Sequence, residues 1–224
     1  MPNAPDAPSQ TRNPTRWVGL SADDRRAERR ELLVDAAFEL LGTEGWSGTT
    51  VRAVCQAARL NPRYFYESFD DLDELVVAVY DRLVTELGNH VMAAVIAAGD
   101  DARAQIHAAI GNIVSYVDED RRRARILYVE ALGNEALNRR RIETAHQLVS
   151  VVELAGAERH GAPPPGEHIG RLAAAVLVGG AGELVVAWLD GRIDVSREQL
   201  VDDATEIFSA IGETAARLAA RRAP

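Results

Sequence analysis

The chain contains 224 residues, of which 47% are hydrophobic and 26% are charged, values typical of a soluble globular protein. This composition excludes a wholly disordered chain, a collagen-like fibre and a small protein stabilised by disulfide bonds. The formal net charge is −9 and all 25 basic residues are arginine, so the overall charge, considered alone, argues against a nucleic-acid partner.

Cysteine content and hydropathy indicate the cellular compartment of the protein. The single cysteine, Cys55, allows neither an intramolecular disulfide nor a Cys-based zinc cluster, which fits a reducing compartment. The N-terminus has no apolar core of the signal-peptide type. The longest apolar stretch, 172–189, contains three glycines and Glu183 near its middle, which disfavours a membrane span. We therefore expect a cytoplasmic protein without a membrane segment, in which this stretch forms a buried helix.

The N-terminal third of the chain predicts an arm followed by three helices. Residues 1–20 are rich in proline and poor in large apolar side chains, and we expect them to be disordered. Helices are predicted over 21–42, over 49–58 and from residue 61 onward. Each begins at a side chain that commonly caps helices, namely Ser21, Thr49 and Asn61.

The rest of the chain also follows helical periodicity. Predicted helices cover residues 71–98, 101–117, 122–132, 135–159, 168–189 and 197–220. The segment 161–166 contains three consecutive prolines and is predicted to be a loop. Because no segment of the sequence shows sustained strand-like alternation, we expect an all-α protein of about nine helices.

Two short helices joined by a tight turn, after a longer helix, predict a helix-turn-helix motif. Phe65 and Phe69 are spaced i and i+4, so both can anchor the third helix in the core. The accessible side of this helix is expected to carry Arg63, Tyr64, Tyr66 and Ser68. From this pattern alone, a helical hairpin with surface aromatic residues is the alternative interpretation.

Longer sequence features extend the motif. The run TTVRAVCQAARLNPRYFYESFDDLDELVVAVYD is preceded by AAFELLGTEGWSG, which ends a helix near the pair Gly45-Trp46. A threonine-capped helix, a turn over 58–61 and the Phe65-Tyr66 pair with Phe69 follow. In this combination, over about 45 residues, the chain resembles the DNA-binding domain of TetR-family transcriptional regulators, and the helical remainder fits the family in order and size.

The resemblance implies a fold of nine or ten helices, with a DNA-binding domain at 21–70 and an effector-binding and dimerisation domain at 71–224. It implies a homodimeric transcriptional regulator, in the first place a repressor, that binds double-stranded operator DNA of palindromic sequence. A small-molecule effector would control this binding, and no cofactor, metal or enzymatic activity is implied. By position, the DNA contacts would come from Thr49, Thr50, Arg52, Asn61, Arg63, Tyr64, Tyr66 and Ser68.

Two positions depart from the family pattern. Arg59 occupies the place of the turn glycine, so either it adopts a left-handed conformation at a cost of about 1 kcal/mol or the turn has another shape. Leu72 occupies the place of a common lysine, which removes one phosphate contact. The neighbouring Asp70 and Asp71 would repel phosphate.

The charge is unevenly divided along the chain. Residues 1–70 contain 9 arginines and 10 acidic residues, whereas residues 71–224 contain 16 and 24. Basic side chains cluster at the start of the first helix and in the arm, namely Arg25, Arg26, Arg29, Arg30, Arg12 and Arg16. This cluster is either a solvated face paired with Glu28 and Glu31 or part of an arm that reaches a minor groove.

The inward faces of the helices between 75 and 159 carry few charges, so we expect an apolar or aromatic effector. The candidate effector contacts are Tyr80, Leu87, Val91, Ile110, Val114, Tyr116, Leu127, Tyr128, His146 and Trp188. The last two predicted helices could form a four-helix interface between two subunits. Its candidate residues are Leu177, Gly180, Leu184, Trp188, Leu200, Ala204, Ile207, Phe208 and Ile211.

Two other classes of protein are alternatives to a DNA-binding regulator. An enzyme is disfavoured because Cys55 has no histidine beside it and the five histidines form no i, i+4 pair. The other rival is a member of the same fold that binds a ligand or a protein but not DNA. The missing turn glycine and the near-neutral DNA-binding domain favour that alternative slightly.

Overall fold

The computed structural model describes residues 21–161 and 168–222. Within these ranges it is helical and contains no strand, which confirms the predicted all-α class. The α-helices are α1 Ala22–Thr43, α2 Gly45–Gly48, α3 Val51–Ala58, α4 Pro62–Tyr66, α5 Leu72–Ala97, α6 Ala102–Glu119, α7 Arg121–Ala124, α8 Ala131–Gly133, α9 Glu135–His160, α10 Ile169–Leu189 and α11 Arg197–Arg222. The expected arm at 1–20, with Arg12 and Arg16, lies outside the described residues, as do positions 162–166 of the predicted loop.

Side-chain caps begin the N-terminal helices. Ser21 and Asp24 form a reciprocal capping box at the start of α1. Asn61 caps α4, where Pro62 occupies the first turn. The cap of α3 is Thr50 rather than Thr49, so this prediction is wrong by one residue.

The turn between α3 and α4 is left-handed at Arg59, whose φ and ψ are 54° and 39°. The N–H groups of Arg59 and Leu60 donate to the carbonyls of Gln56 and Cys55, at 3.2 and 2.9 Å. These bonds satisfy carbonyls at the end of α3 that have no partner within the helix. Of the two alternatives for the missing glycine, the first is therefore confirmed: arginine adopts the left-handed conformation.

Helix α5 connects the two halves of the molecule. It packs on α1 and also on α6 and α9. Buried side chains along α5 include Leu75, Val79 and Leu83, which belong to the same core as buried residues of the N-terminal and C-terminal helices. A change in the tilt of α5 therefore moves both parts of this core together.

The segment predicted as one helix over 122–132 is divided. Between α7 and α8 lies a π-helical turn, Arg125–Glu130. A π-helix forms i→i+5 hydrogen bonds, so residues five apart come to the same side of the turn. Arg125 and Glu130 have this spacing, and Arg125 Nε lies 2.8 Å from Glu130 Oε1.

This ion pair forms a junction between the C-terminal helices and the N-terminal helices α1 and α2. Arg125 Nη1 donates to the carbonyl of Thr43 at 2.7 Å, at the end of α1. Glu130 Oε2 accepts the backbone N–H of Trp46 at 2.8 Å. Gly45 lies so close that an added Cβ would meet both side chains of the pair, at 2.7 Å from Arg125 Nη2 and 2.8 Å from Glu130 Oε1. The junction therefore determines where α1 ends relative to the π-helical turn.

Helix α10 is more exposed than its composition predicts. In the described part of the chain it alone is long and apolar enough to cross a membrane, yet only 11% of its most apolar window is buried. Leu172 and Val176 are 60% and 59% exposed. The expectation of a helix buried on more than one side is therefore wrong for the single subunit.

We expect Arg59→Gly to raise the free energy of unfolding by about 0.5–1 kcal/mol. Glycine adopts the left-handed conformation without the steric cost borne by arginine, although its unfolded state is more flexible. The control is Gln56→Gly, an exposed position in α3 with ordinary helical geometry, which should lower the same quantity by about 1 kcal/mol. Urea unfolding at one fixed protein concentration measures both, and a destabilised Arg59→Gly would contradict the argument.

We expect Glu130→Ala to lower the free energy of unfolding by about 1–3 kcal/mol, because it leaves Arg125 and the Trp46 N–H without their shared acceptor. The matched control is Glu135→Ala. Glu135 pairs with Arg139 at 3.0 Å, but these side chains are 91% and 68% exposed, so the loss should be below about 1 kcal/mol. Thermal unfolding measures both variants. If they lose the same free energy of unfolding, the junction contributes no more than an exposed ion pair.

Candidate nucleic-acid interface and effector domain

Helix α4 presents one side to solvent and the other to the core. Phe65 and Phe69 are buried with ring centroids 6.0 Å apart, as the i, i+4 spacing predicted. The opposite side carries Arg63, whose side chain is 82% exposed, and Tyr66, which is 62% exposed. The helix therefore displays a guanidinium and a phenol that can reach a major groove.

Glu67, which sequence reasoning missed, joins α4 to α1. Its carboxylate lies 2.9 Å from Arg63 Nε and 3.5 Å from Arg29 Nη2, and its carbonyl accepts from Arg26 at 2.5 Å. Arg29 also lies over the Tyr64 ring, 4.6 Å from its centroid. The only sequence signal for this network was the i, i+4 spacing of Arg63 and Glu67.

These contacts bear on the two interpretations of the arginine cluster. Arg26 and Arg29 interact with α4, and Arg30 lies 4.6 Å from the centroid of the Phe69 ring. In the structure these three side chains hold the candidate recognition helix in place, a role that neither interpretation included. The proposed contact of the arm with a minor groove is not tested by the described residues.

The structure exposes most of the predicted DNA contacts, namely Thr50, Arg52, Asn61, Arg63, Tyr64 and Tyr66. Ser68 is half-buried and donates to the Tyr64 carbonyl at 3.1 Å. Thr49 does not belong in this set. It is 2% exposed and its hydroxyl donates to the Gly45 carbonyl at 2.8 Å, so it stabilises the turn before α3.

The start of α5 is negatively charged and already capped. Asp71 Oδ1 accepts the Glu74 N–H at 2.8 Å, and Glu74 accepts the Asp70 N–H at 2.7 Å. These carboxylates occupy the amides that a phosphate would need, and Leu72 supplies no charge. We therefore place no DNA phosphate at this helix N-terminus.

Two of the predicted effector contacts come together inside the C-terminal domain. Tyr80 is buried on α5, which packs on α9, where Thr144 is also buried. Tyr128 of the π-helical turn lies near Tyr80, and burial together with Tyr80 raises the pKa of Tyr128 to about 12. An added Cβ on Gly182 of α10 would lie 2.9 Å from the Tyr128 ring. Both phenols therefore stay protonated near neutral pH and can donate hydrogen bonds.

The other predicted effector contacts have different surroundings. Tyr116 donates to Glu86 at 2.9 Å, and burial raises the pKa of its hydroxyl. Trp188 donates from Nε1 to the Val195 carbonyl at 3.0 Å. His146 is exposed on α9. The remaining members, all buried or half-buried, are Leu87, Val91, Ile110, Val114 and Leu127.

The candidate interface residues divide into two sets. Leu200 and Ala204 are buried on α11, which packs on α6, so they stabilise the single subunit and are not available to a second one. Leu184, Trp188 and Phe208 are half-buried and also pack on the core. The other members, exposed or partly exposed, are Leu177, Gly180, Ile207 and Ile211. An apolar groove between α10 and α11 adds side chains that were missed, namely Leu172, Val176 and Leu218.

Cys55 is buried, and burial raises the pKa of its thiol, so little thiolate forms at neutral pH. Over residues 21–161 and 168–222, no group of three His, Cys, Asp or Glu side chains could hold a metal ion.

Comparison with known proteins connects this geometry to a family. Residues 33–79, which include the helix-turn-helix, match the family model described as bacterial regulatory proteins, tetR family. A TetR-family transcription regulator from Marinobacter aquaeolei VT8 is 17% identical and superposes with a TM-score of 0.63, covering 84% of this chain and 97% of that one.

Two further solved structures are similar over most of their length. A protein from Pseudomonas aeruginosa PAO1 assigned as a transcriptional regulator is 19% identical, with a TM-score of 0.71 over 91% of this chain and 97% of that one. The multidrug binding protein EbrR, solved with imidazole, is 22% identical, with a TM-score of 0.60 over 82% and 94%. The N-terminal part of the chain thus matches the DNA-binding domain of tetR-family regulatory proteins, and the chain as a whole has the fold of these solved structures.

Proposed function

We propose that the protein is a cytoplasmic repressor that binds a palindromic operator as a homodimer and releases it when a small molecule binds the C-terminal domain. The observation that carries this proposal is the exposed side of α4, held rigidly against α1 by Glu67 and the α1 arginines. A recognition helix needs exposed donors on a fixed support, because side chains read bases only at a defined depth and angle.

Arg63 and Tyr64 are the proposed base-reading residues. The Arg63 guanidinium can donate two hydrogen bonds to guanine, and its ion pair with Glu67 orients it before DNA binds. Proposed phosphate contacts come from Tyr66, Thr50 and Arg52, which are exposed on α3 and α4. Asn61 caps α4 and Ser68 is bonded to the backbone, so we propose that both act mainly by shaping this helix.

The exposed faces of α10 and α11 support the proposed homodimer. Val176 and Ile207 are 59% and 58% exposed and line the same apolar groove. A continuous apolar surface of this kind is costly in water and marks an interaction site. Gly179 and Gly180 lie exposed on α10 with open space around them, so a second helix can approach closely. The predicted four-helix interface is thus retained with Leu172 and Val176 in place of Leu200 and Ala204.

Effector control requires a path from the C-terminal domain to α4. Tyr128 lies inside the effector domain and Glu130, two residues later, holds the Trp46 N–H of the DNA-binding domain. A ligand that moves Tyr128 therefore shifts the junction and, through it, the end of α1. Two recognition helices must lie about 34–36 Å apart to occupy successive major grooves, so a small rotation lowers DNA affinity.

A second candidate function is kept because of one observation. The acidic residues Asp70, Asp71, Asp73 and Glu74 follow α4 directly, close to where a DNA backbone would pass. This charge favours the alternative that the protein uses the same fold to bind a ligand or a protein without binding DNA. DNA binding decides between the two candidates.

We expect Arg63→Ala and Tyr64→Ala each to weaken specific DNA binding by about tenfold or more, because each removes a proposed contact to a base edge. The measurement is a gel shift. It uses DNA fragments recovered by genomic selection together with the promoter region of the gene that encodes this protein. Arg139→Ala is the control, since Arg139 is an exposed arginine on α9 far along the chain from α4.

Unchanged binding by the two α4 variants would remove these residues from the proposed interface. Failure of the unmodified protein to retain any fragment would favour the alternative that it does not bind DNA. Weakening by Arg139→Ala to the same extent would show a nonspecific effect of lost positive charge.

We expect Val176→Glu to convert a dimer into a monomer at micromolar concentration, because it places a charge in the proposed apolar interface. Sedimentation velocity measures the change. Met92→Glu is the control: Met92 is 52% exposed but lies on α5, outside the groove between α10 and α11. A monomeric unmodified protein, or a Val176→Glu variant that stays dimeric, would overturn the proposed interface.

A further inference from the structure

One arginine inside the effector domain has no acidic partner. Arg141 lies on α9 one turn after the buried Leu137 and one turn before the buried Thr144, so it faces the domain interior. Its two neighbours along the chain are both neutralised. Arg139 pairs with Glu135 at 3.0 Å, and Arg140 pairs with Asp81 at 2.5 Å.

The guanidinium of Arg141 is only partly satisfied. Its Nη2 donates to Asn138 Oδ1 at 3.2 Å, and its Nε is buried with no hydrogen-bond partner. Arg29 and Arg82 also have a buried Nε without a partner, but each is paired with a carboxylate through another nitrogen. Among the described residues, no Asp or Glu lies within ion-pair distance of Arg141. A half-buried cation with an unpaired donor is costly unless an anion completes it.

Hydroxyl-bearing side chains lie on the elements packed around this part of α9. Thr144 is buried one turn along α9 from Arg141, and Tyr80 is buried on α5, which packs on α9. Burial raises the pKa of Tyr80, and the charge of Arg141 partly opposes this rise. Tyr128 lies on the π-helical turn, which also packs on α5, and burial raises the pKa of its hydroxyl to about 12. A guanidinium and two phenolic O–H groups are donors that match a carboxylate.

Two acidic side chains of α5 are engaged by other residues. Asp81 is engaged by Arg140, and Asp73 accepts from the Asn134 side chain at 2.9 Å. Leu127 and Val79 belong to the hydrophobic core. This part of the interior thus combines one cation, two neutral donors and apolar side chains.

We propose that the effector is a small carboxylate with an apolar body, whose carboxylate binds Arg141 with help from the Tyr80 and Tyr128 hydroxyls. This rests on the proposed function, in which the C-terminal domain binds an effector, and it specifies the chemical class. It also revises the expectation of a purely apolar ligand. The contact with Tyr128 places the ligand two residues from Glu130, so its arrival is transmitted directly to the junction.

The experiment compares carboxylates with their neutral analogues on the full-length protein. The probes are octanoate against octan-1-ol and benzoate against benzyl alcohol, with binding followed by tryptophan fluorescence and by thermal stability. For at least one pair, the carboxylate should bind the unmodified protein about tenfold or more tightly than the alcohol. Equal affinities, tighter binding of both alcohols, or binding of neither carboxylate would overturn the proposal.

Substitutions at Arg141 test whether this residue causes the preference for the carboxylate. Arg141→Met should remove the preference for the carboxylate, Arg141→Lys should retain part of it, and the exposed control Arg139→Met should keep it whole. A preference that survives Arg141→Met overturns the assignment to this residue. If that variant fails to fold, Arg141→Lys and the comparison on the unmodified protein still decide the outcome.

Gel shifts without any probe separate this inference from the proposed function. DNA binding with no preference for carboxylates would overturn the inference and leave the repressor intact. A carboxylate preference that depends on Arg141, in a protein that retains no DNA, would support the ligand class and contradict the repressor.

Discussion

The Arg125–Glu130 ion pair is the constraint on which the arrangement of the two domains depends. Its geometry requires the π-helical turn, because residues five apart lie about 140° around an α-helix from each other and would not meet. Once paired, the two side chains complete backbone groups that the end of α1 leaves unsatisfied, the Thr43 carbonyl and the Trp46 N–H. The cationic guanidinium at a helix C-terminus is also favoured by the helix dipole. The π-helical turn therefore attaches the DNA-binding helices to the C-terminal helices.

The acidic composition takes on a different meaning once the contacts are known. Several arginines make contacts within the protein. Arg26 and Arg29 contact α4. Arg122 pairs with Asp120 and Glu39, and Arg125 pairs with Glu130 at the junction. A carboxylate that pairs with an arginine cancels its charge, so the formal charge of −9 comes from the acidic residues in excess of the arginines. A DNA-binding surface built from few exposed guanidinium groups should release few counterions, so its affinity would depend on specific contacts.

Much of the DNA-binding domain could be predicted from the sequence because local rules decide it. Caps at Ser21 and Asn61 and the i, i+4 pair of Phe65 and Phe69 need no knowledge of the rest of the molecule. Even the error at Thr49 is small, since two adjacent threonines compete for one cap and tertiary burial chose between them. The π-helical turn could not be predicted in this way, because the apolar spacing over 122–132 fits an α-helix and the pair that favours the wider turn contacts a distant segment.

Burial was harder to predict than helicity, and the reason is physical. The apolar composition of α10 indicates that its surface must leave water, but it does not say whether the same chain or another copy covers it. The reverse holds for Arg141, whose charge suggests the surface although its position on α9 faces inward. Helix α10 meets Tyr128 at Gly182 and would meet a second subunit at Val176. A ligand at Tyr128 is therefore one helix away from the dimer interface and one turn away from the junction with the DNA-binding helices. If a ligand weakens DNA binding, as proposed, thermodynamic linkage requires DNA to weaken ligand binding by the same factor.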